Sequence, residues 1–380
     1  MLQTAMISVS KESKPAWRSA LWLTLLLRLA YSILGAVFSI FIPVNWHLIR
    51  SNALTETLAP PDRSLHYLLL DLWSRFDTLW YLHIAQHGYD RADATVFYPL
   101  YPWLIKVVST VVNPIAAALV ISSTAAWLLL WGLQRLLSLD HSPELARRSV
   151  IACAVWPASF IFFAGYPESL LLALTVWSVY MARQERWWIA AILALAAGVT
   201  KAAGIVVMVP LAFLALQRRT VSAWSLLLAP AGTIGFHLWL RLHGVGAAGD
   251  VYHRYWRTST AFPWTTLWVG VKHLFRAPDV ILVLNLLFLI VCCALLAIVR
   301  TRKEYVLYGL AVILFVLCKQ TTPPLQSMVR YLLLVFPAFL GLAQIFDRPS
   351  LKRRFAMVCV GMFVMNAALM WLFLEWSLVL

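Results

Sequence analysis

One acidic residue stands in an unusual setting and is the first candidate for chemistry. Asp77 lies in an aromatic stretch, from Trp73 to Tyr89, that follows the first apolar segment of the chain. Acids are scarce, with 16 Asp and Glu among 380 residues. A carboxylate held beside a bilayer costs free energy, and such residues usually mark functional sites. Asp77 can act as a general base, or it can cap the helix predicted to begin at Thr78.

The elements around Asp77 are those of a polytopic membrane protein. Hydrophobic residues make up 62% of the chain and charged residues 12%, and the mean hydropathy is +0.79. A soluble chain of this length could not bury so much apolar surface. The net charge of +15 comes from short Lys and Arg clusters between apolar runs. That pattern is typical of cytoplasmic loops, so we do not interpret the charge as a nucleic-acid surface.

The alternation of apolar runs and basic clusters predicts an all-α protein with about eleven transmembrane helices in a single membrane domain, residues 1–380. A first span, Ser19 to Val44, follows Lys11 and Lys14 and leads outward as a retained helix rather than a cleaved signal peptide. The stretch from Phe97 to Val112 is too short for a clear crossing, and we interpret it as a half-helix or re-entrant segment.

Two long segments are predicted on the outer side. The first outer loop, residues 45–96, contains two amphipathic pieces, 65–73 and 78–86, that are expected to lie as interfacial helices. The second large outer segment spans 241–279.

The predicted topology also gathers the unusual polar residues on one side of the membrane. The loop of Asp77, Glu168 in a Tyr-Pro-Glu-Ser segment, Lys201 after a short apolar run, and Arg330 at the start of another all fall on the non-cytoplasmic side. Polar groups at membrane depth usually line a pathway or a site. We therefore expect these four side chains to share one outward-facing pocket.

Several segments resemble the PIG-V family, which comprises the GPI mannosyltransferase 2 proteins and their bacterial relatives. They are Arg75-Phe76-Asp77 through His87-Gly88-Tyr89, Phe97-Tyr98-Pro99-Leu100-Tyr101-Pro102, Trp156-Pro157 through Tyr166-Pro167-Glu168-Ser169-Leu170, Thr200-Lys201-Ala202-Ala203-Gly204, and Met328-Val329-Arg330-Tyr331. The chain departs from the family pattern at four places: Phe76 replaces Trp, Lys201 replaces Arg, and Ala202 and Val329 stand where relatives have Pro. Lys for Arg keeps the charge but loses bidentate phosphate recognition.

The resemblance implies a GT-C membrane glycosyltransferase. Such an enzyme would transfer a hexose, expected to be mannose, with inversion from a polyprenyl-phosphate carrier to a lipid or glycan acceptor on the non-cytoplasmic face. Asp77 would be the general base, and the phosphate leaving group would need no strong acid. The expected membrane is the bacterial plasma membrane, or the endoplasmic reticulum if the protein is eukaryotic, with membrane lipids as surroundings.

Charged companions of Asp77 have both functional and structural interpretations. Lys201 and Arg330 are candidates for the donor phosphate, and Arg75 is a weaker one; the alternative is that these side chains reach for lipid headgroups. Glu168 can bind the acceptor, a metal or a basic partner, or it can stabilise a helix N-terminus.

Further candidates for substrate binding are mostly aromatic or basic, and anchoring at the membrane interface explains many of them nearly as well. They are Trp80, Tyr81, His83, Tyr98, Tyr101, Arg254, Arg257 and Tyr331. His83 and His87 have the spacing of two ligands on one helix face, but no third ligand follows, so no metal site is predicted. No cofactor is indicated, and a divalent metal stays open. The five Cys residues show neither disulfide nor metal spacing.

Two other function classes compete with the enzyme. A lipid or glycolipid transporter would place ionisable residues at mid-span and show inverted repeats, and the chain has no such repeat. A non-catalytic partner of a membrane enzyme would use Asp77 only structurally.

Overall fold

Helices dominate the fold because a bilayer offers backbone groups no water, so each spanning segment must satisfy its own hydrogen bonds. The computed structural model describes residues 16–42, 54, 58, 62–219, 221–245, 248–277 and 279–377. Within those ranges the α-helices are α1 (Ala16–Phe41), α2 (Leu65–Leu69), α3 (Asp77–His87), α4 (Leu100–Val108), α5 (Pro114–Leu137), α6 (Pro143–Val155), α7 (Glu168–Arg183), α8 (Trp187–Gly198), α9 (Met208–Arg218), α10 (Leu228–Leu242), α11 (Ala248–Trp256), α12 (Pro263–Arg276), α13 (Val280–Ile298), α14 (Lys303–Leu317), α15 (Met328–Tyr331), α16 (Phe336–Ile345) and α17 (Lys352–Leu374).

Short 3₁₀ helices join several of these elements. They are Asp71–Trp73, Ala92–Val96, Ser159–Phe163, Ala202–Val207, Val221–Leu227, Leu332–Leu334 and Pro349–Leu351. The lysines predicted before the first span, Lys11 and Lys14, and the start of the first outer loop, residues 45–53, lie outside the described residues.

The apolar helices confirm the predicted all-α membrane class. Five of them in the described ranges are long and apolar enough to cross a membrane: α1, α5, the segment Ser222–Leu242, α13 and the segment Pro349–Leu374. The pair Met328–Leu334 and Phe336–Ile345, bent by 80°, would make a sixth. Trp187–Gly198 and Ala202–Arg218 are apolar but shorter. The number of about eleven crossings therefore stays a prediction.

The stretch predicted to stop short of a full crossing forms helix α4. With nine residues, α4 rises only about 14 Å, roughly half of a bilayer's hydrocarbon core. Asn113 ends the stretch and caps α5, since its side-chain oxygen accepts from the Ile115 N–H at 2.9 Å. The length of α4 is that of a half-helix.

The two predicted amphipathic pieces of the first outer loop differ from expectation in their packing. The first is divided into α2 and the 3₁₀ turn Asp71–Trp73. The second forms α3, but residues 78–81, 84 and 85 are buried, and α3 packs against α4 and α5. Protein segments therefore cover much of the apolar face that the sequence analysis expected to face the bilayer, and the interfacial position itself stays a prediction.

Helix α7 lies at the centre of the bundle, between α5 and α8. It carries an acid, Glu168, at its first residue and a base, Arg183, at its last. At a rise of 1.5 Å per residue the two charged residues are about 22 Å apart along the axis. Gly132 of α5 allows the close approach, because a Cβ there would lie 2.6 Å from Nε1 of Trp177.

Within the described residues, one small sheet, which the sequence did not indicate, joins two segments that are distant in the chain. Strand β1 (Thr258–Thr260) pairs antiparallel with β2 (Lys319–Thr321), with Thr258 opposite Thr321 and Thr260 opposite Lys319. The pairing ties the segment 241–279 to the loop that leads toward Arg330.

Candidate active site

Four charged residues from four distant segments meet in one ion-pair network, here called the Asp77 cluster: Asp77, Glu168, Lys201 and Arg330. Arg330 donates from Nη1 to Asp77 Oδ2 at 2.6 Å, and Lys201 donates from Nζ to Glu168 Oε1 at 2.5 Å. Arg330 Nε lies 3.3 Å from the same Glu168 oxygen. The four side chains that the sequence expected on one side are thus in direct contact.

Asp77 is positioned by a strained backbone at Phe76, and aromatic packing holds that backbone in place. It is the first residue of α3, and Phe76 before it has φ 47° and ψ −117°. A bulky residue at positive φ is rare and costs free energy, so surrounding packing must hold it. The buried Phe76 ring packs against Phe373 and Trp376, with centroids 5.5 and 4.9 Å away.

The carboxylate of Asp77 has one engaged oxygen and one free oxygen. Its side chain is 16% exposed, and no described residue donates a hydrogen bond to Oδ1. The backbone N–H of Asp77 donates to the Tyr166 hydroxyl at 3.3 Å. Arg330 therefore orients the carboxylate through Oδ2 and leaves Oδ1 able to accept a proton.

Glu168 is fully buried at the start of α7. Its Oε1 faces both cations, whereas Oε2 has no hydrogen-bond donor in the described part of the chain. A buried carboxylate oxygen without a donor costs free energy, and such atoms in a native fold call for an explanation.

Lys201 is presented by a sharp change in chain direction after α8. Its backbone is extended, with φ −164°, between α8 and the 3₁₀ helix 202–207. Gly204 makes the turn possible, because a Cβ at this position would lie 2.0 Å from the Ala197 carbonyl oxygen. The side chain is 15% exposed.

Arg330 lies in the short helix α15, which begins after Ser327 in the left-handed region at φ 64°. Asn285 of α13 anchors α15 by accepting the Val329 N–H at 3.1 Å. The guanidinium lies between two aromatic rings, 5.3 Å from the Tyr166 centroid and 5.2 Å from the Tyr331 centroid. Cation–π contacts and two carboxylates offset the cost of burying this charge.

Aromatic residues proposed to touch substrate are mostly buried against one another. Trp80 stacks on Phe97 at 5.5 Å, and Tyr81 meets Tyr101 edge-on at 5.0 Å. Tyr101 also donates to the Ala118 carbonyl at 3.1 Å. These contacts give the aromatic side chains a clear structural role: they hold α3 and α4 together beneath the cluster.

The Tyr98 hydroxyl lies 3.0 Å from His237 Nε2 on α10. His83 lies 2.7 Å from the Asp90 carboxylate. Neither residue contacts the Asp77 cluster.

Three arginine candidates lie outside the cluster as well. Arg75 is buried and donates to the Leu374 carbonyl at 3.2 Å, and its guanidinium lies 5.0 Å from the Trp376 ring, so it fixes the end of α17. Arg254 and Arg257 are exposed and form no ion pair with the residues that the structure describes.

No group of three or more His, Cys, Asp or Glu side chains in the described ranges is arranged to hold a metal ion. Within the cluster, each carboxylate already faces a cation.

Two residues of the site were not singled out from the sequence. Tyr166, fully buried, contacts both Asp77 and Arg330, and its place in the Tyr-Pro-Glu-Ser segment was the available signal. Lys319 donates from Nζ to the Tyr331 hydroxyl at 2.9 Å. Only the β1–β2 pairing brings Lys319 to this position, and no pattern in the sequence indicates that pairing.

A solved structure shares this architecture. The crystal structure of ArnT from Cupriavidus metallidurans bound to undecaprenyl phosphate superposes with a TM-score of 0.51 at 11% identity, over 93% of this chain and 76% of that one. The fold is that of the GT-C membrane glycosyltransferases, as the resemblance in the sequence predicted.

The family follows from the sequence comparison. A family model described as "Mannosyltransferase (PIG-V)" matches residues 24–227. GPI alpha-1,6-mannosyltransferase 2 of Mus musculus and of Rattus norvegicus are each 27% identical over an alignment of 201 residues, and the alignment covers 49% of this chain and 40% of each relative. The match thus covers well under half the length of these relatives. The chain belongs to the PIG-V mannosyltransferase family.

Proposed function

We propose that the protein is an inverting glycosyltransferase that moves a hexose, mannose by family, from a polyprenyl-phosphate carrier to a lipid or glycan acceptor. The observation that carries this proposal is the state of Asp77. One oxygen is held by Arg330 at 2.6 Å, and the other is free of hydrogen bonds from the described residues. A positioned carboxylate with a free oxygen is what a general base requires.

The proposed step is a single displacement. The acceptor hydroxyl gives its proton to Asp77 Oδ1 while its oxygen attacks the anomeric carbon. The bond from that carbon to the phosphate oxygen breaks, and the polyprenyl phosphate leaves with the electron pair. Attack from the face opposite the phosphate inverts the anomeric centre, in a transition state with oxocarbenium character.

The two cations of the Asp77 cluster are proposed to stabilise the leaving phosphate. Charge develops on the leaving phosphate oxygen, and positioned cations stabilise developing charge most strongly where water is excluded. Arg330 and Lys201 are both largely buried, at 6% and 15% side-chain exposure. The similar ArnT structure has undecaprenyl phosphate bound, which supports a carrier of this class.

Glu168 is proposed to organise the site rather than react. Its Oε1 faces Lys201 at 2.5 Å and Arg330 at 3.3 Å, so it fixes both cations relative to Asp77. We further propose that the cluster faces the non-cytoplasmic side of a bacterial plasma membrane.

The test is sugar transfer by purified protein in liposomes, with labelled polyprenyl-phosphate-mannose and a panel of lipid and glycan acceptors. General-base removal in Asp77→Asn is expected to lower the rate by about 10²- to 10⁴-fold. Asp93→Asn is the matched control, because it removes an acid of the same outer loop that pairs with Arg91 and not with the cluster. If Asp93→Asn lost as much activity as Asp77→Asn, the loss would reflect a general effect of charge in this loop and not the removal of a general base.

A further inference from the structure

Lys319 differs from the other cations near the site in its partners. Arg330 and Lys201 are each paired with a carboxylate, at 2.6 and 2.5 Å. In the described ranges no carboxylate lies within ion-pair distance of Lys319, whose hydrogen-bond partner is the Tyr331 hydroxyl at 2.9 Å. Among the described cations next to Tyr331, Lys319 is therefore the one that a new anion can engage without breaking an existing ion pair.

Tyr331 joins Lys319 to the Asp77 cluster. The Nζ atoms of Lys319 and Lys201 each lie 5.1 Å from the centroid of its ring. Arg330 Nη2 lies 3.5 Å from its hydroxyl. Because that hydroxyl accepts from cations, its own hydrogen is free to donate to another acceptor.

The position of Lys319 is fixed by backbone pairing. Lys319 opens β2 opposite Thr260, and the Ala261 N–H donates to the neighbouring Cys318 carbonyl at 2.9 Å. Thr321, at the end of β2, accepts the Gln326 N–H at 3.1 Å and so holds the loop toward α15. A cation on a paired strand loses less conformational entropy on binding than one on an open loop.

The charges around Tyr331 do not balance. Among the side chains that the structure describes, three cations (Arg330, Lys201 and Lys319) face two carboxylates (Asp77 and Glu168), which leaves one positive charge in excess. A phosphodiester, the linkage in a polyprenyl-phosphate sugar, carries one negative charge. One such negative charge would offset the excess among these side chains.

We propose that Lys319 and the Tyr331 hydroxyl form the ground-state binding site for the phosphate of the lipid-linked donor. This inference rests on the proposed function and deepens it. Arg330 and Lys201 keep their carboxylates while the donor binds, and they act as charge grows on the departing phosphate. A released monophosphate carries more negative charge than the diester, so the same pair holds the product.

The test measures binding without chemistry. Wild type and variants in phosphatidylcholine nanodiscs are titrated with polyprenyl monophosphate and, separately, with polyprenol of the same length. Lys319→Gln is expected to weaken polyprenyl monophosphate binding at least about tenfold and to leave polyprenol binding unchanged. Tyr331→Phe, which keeps the ring, is expected to weaken phosphate binding by a smaller factor.

Controls separate the site from general electrostatics. Lys272→Gln removes an exposed lysine of α12 in the second outer segment and should bind like wild type. Lys319→Arg keeps the charge and should recover part of the affinity. In nanodiscs that contain phosphatidylglycerol, the wild-type affinity should persist; a loss there would assign the site to bilayer headgroups and overturn the proposal.

The two proposals fail separately. If Lys319→Gln and Lys319→Arg both bind polyprenyl monophosphate like wild type, the phosphate site is overturned, whatever Asp77→Asn does to transfer. If Lys319→Gln loses the phosphate preference and the wild type transfers no sugar, the phosphate site stands and the transferase fails. In an active protein, Lys319→Gln should raise the donor KM more than it lowers kcat.

Discussion

Among the described residues, an ion-pair network lies at each end of α7, and the two networks differ in completeness. The second, the Asp140 cluster, consists of Asp140, Arg183, Arg302, Glu304 and Tyr305. Arg183 bonds both Asp140 oxygens, at 2.8 and 2.9 Å, and Arg302 and Tyr305 add bonds at 2.8 and 3.1 Å. Each oxygen of Asp140 therefore has two donors.

In the Asp77 cluster the acids are less completely bonded. Asp77 Oδ1 and Glu168 Oε2 receive no hydrogen bond from the described chain. The same helices serve both networks: α7 carries Glu168 and Arg183, and α14 carries Glu304 at one end and leads to Lys319 at the other. A closed network locks helices together, whereas an open one keeps acceptors and cations free for substrate. Variants of the Asp77 cluster should therefore lose activity, and variants of the Asp140 cluster should lose stability.

After Asp77→Asn, the largest effect on activity is expected from Arg330→Gln. Loss of a buried cation positioned at the leaving phosphate should lower kcat by about 10²- to 10³-fold. The matched change at the other end, Arg302→Gln, removes a cation from Asp140 and should leave the specific activity of folded protein unchanged. Equal losses of kcat in the two variants would remove the distinction between the clusters.

The largest effect on stability is expected from Asp140→Asn. It leaves Arg183, which is 8% exposed, short of its main counter-charge. Removing one partner of a buried pair costs about 3–5 kcal/mol. The thermal unfolding midpoint in detergent should fall clearly, while transfer per folded molecule stays near wild type. A variant with unchanged midpoint would show that the Asp140 cluster does not hold the helices together.

A smaller effect on activity is expected from Gly165→Ala. The new Cβ would lie 2.5 Å from Thr78 Cγ2, so α3 must shift beside Asp77. A shift of under 1 Å should lower activity about tenfold. Thr78→Ser removes the clashing methyl group, and the double variant should recover much of the activity. No recovery in the double variant would indicate that the contact does not position Asp77.

The smallest effect is a pH dependence confined to the Asp140 cluster. Burial alone would raise the pKa of Asp140, but hydrogen bonds and charge from Arg183 and Arg302 outweigh it and lower the pKa to about 2. Because the folded value is below the unfolded one of about 3.9, the stabilisation is complete above pH ~4 and is lost as the pH falls toward 2. The difference in thermal unfolding midpoint between wild type and Asp140→Asn should therefore disappear only below pH ~4. If it disappeared near pH 6, the ionised Asp140 carboxylate would not be the source of the stabilisation.

The sequence predicted the class and the members of the Asp77 cluster because rare polar residues in apolar surroundings are visible one at a time. The alternation of basic clusters predicts that Glu168, Lys201 and Arg330 lie on the same side of the membrane. The sequence could not predict which cation meets which acid, since those pairings depend on three-dimensional packing.

Other features of the site could not be predicted from the sequence, for physical reasons. Lys319 enters the site through a three-residue strand pair, and so short a pairing has no periodic signal. The unusual backbone of Phe76 is held by Phe373 and Trp376 from the far end of the chain. The residue types of Trp80, Tyr81 and Tyr101 are compatible with stacking on a sugar and with packing inside the protein. Their contacts in the structure show the packing.

We propose that Asp77 is the base of a sugar transfer from a lipid phosphate. The most direct measurement is single-turnover transfer from labelled polyprenyl-phosphate-mannose by wild type and Asp77→Asn, with donor binding measured on the same samples. We predict that Asp77→Asn binds the donor and transfers about 10²- to 10⁴-fold more slowly. Full transfer by Asp77→Asn, or no transfer by wild type from any polyprenyl-phosphate sugar, would contradict the role of Asp77 as the base.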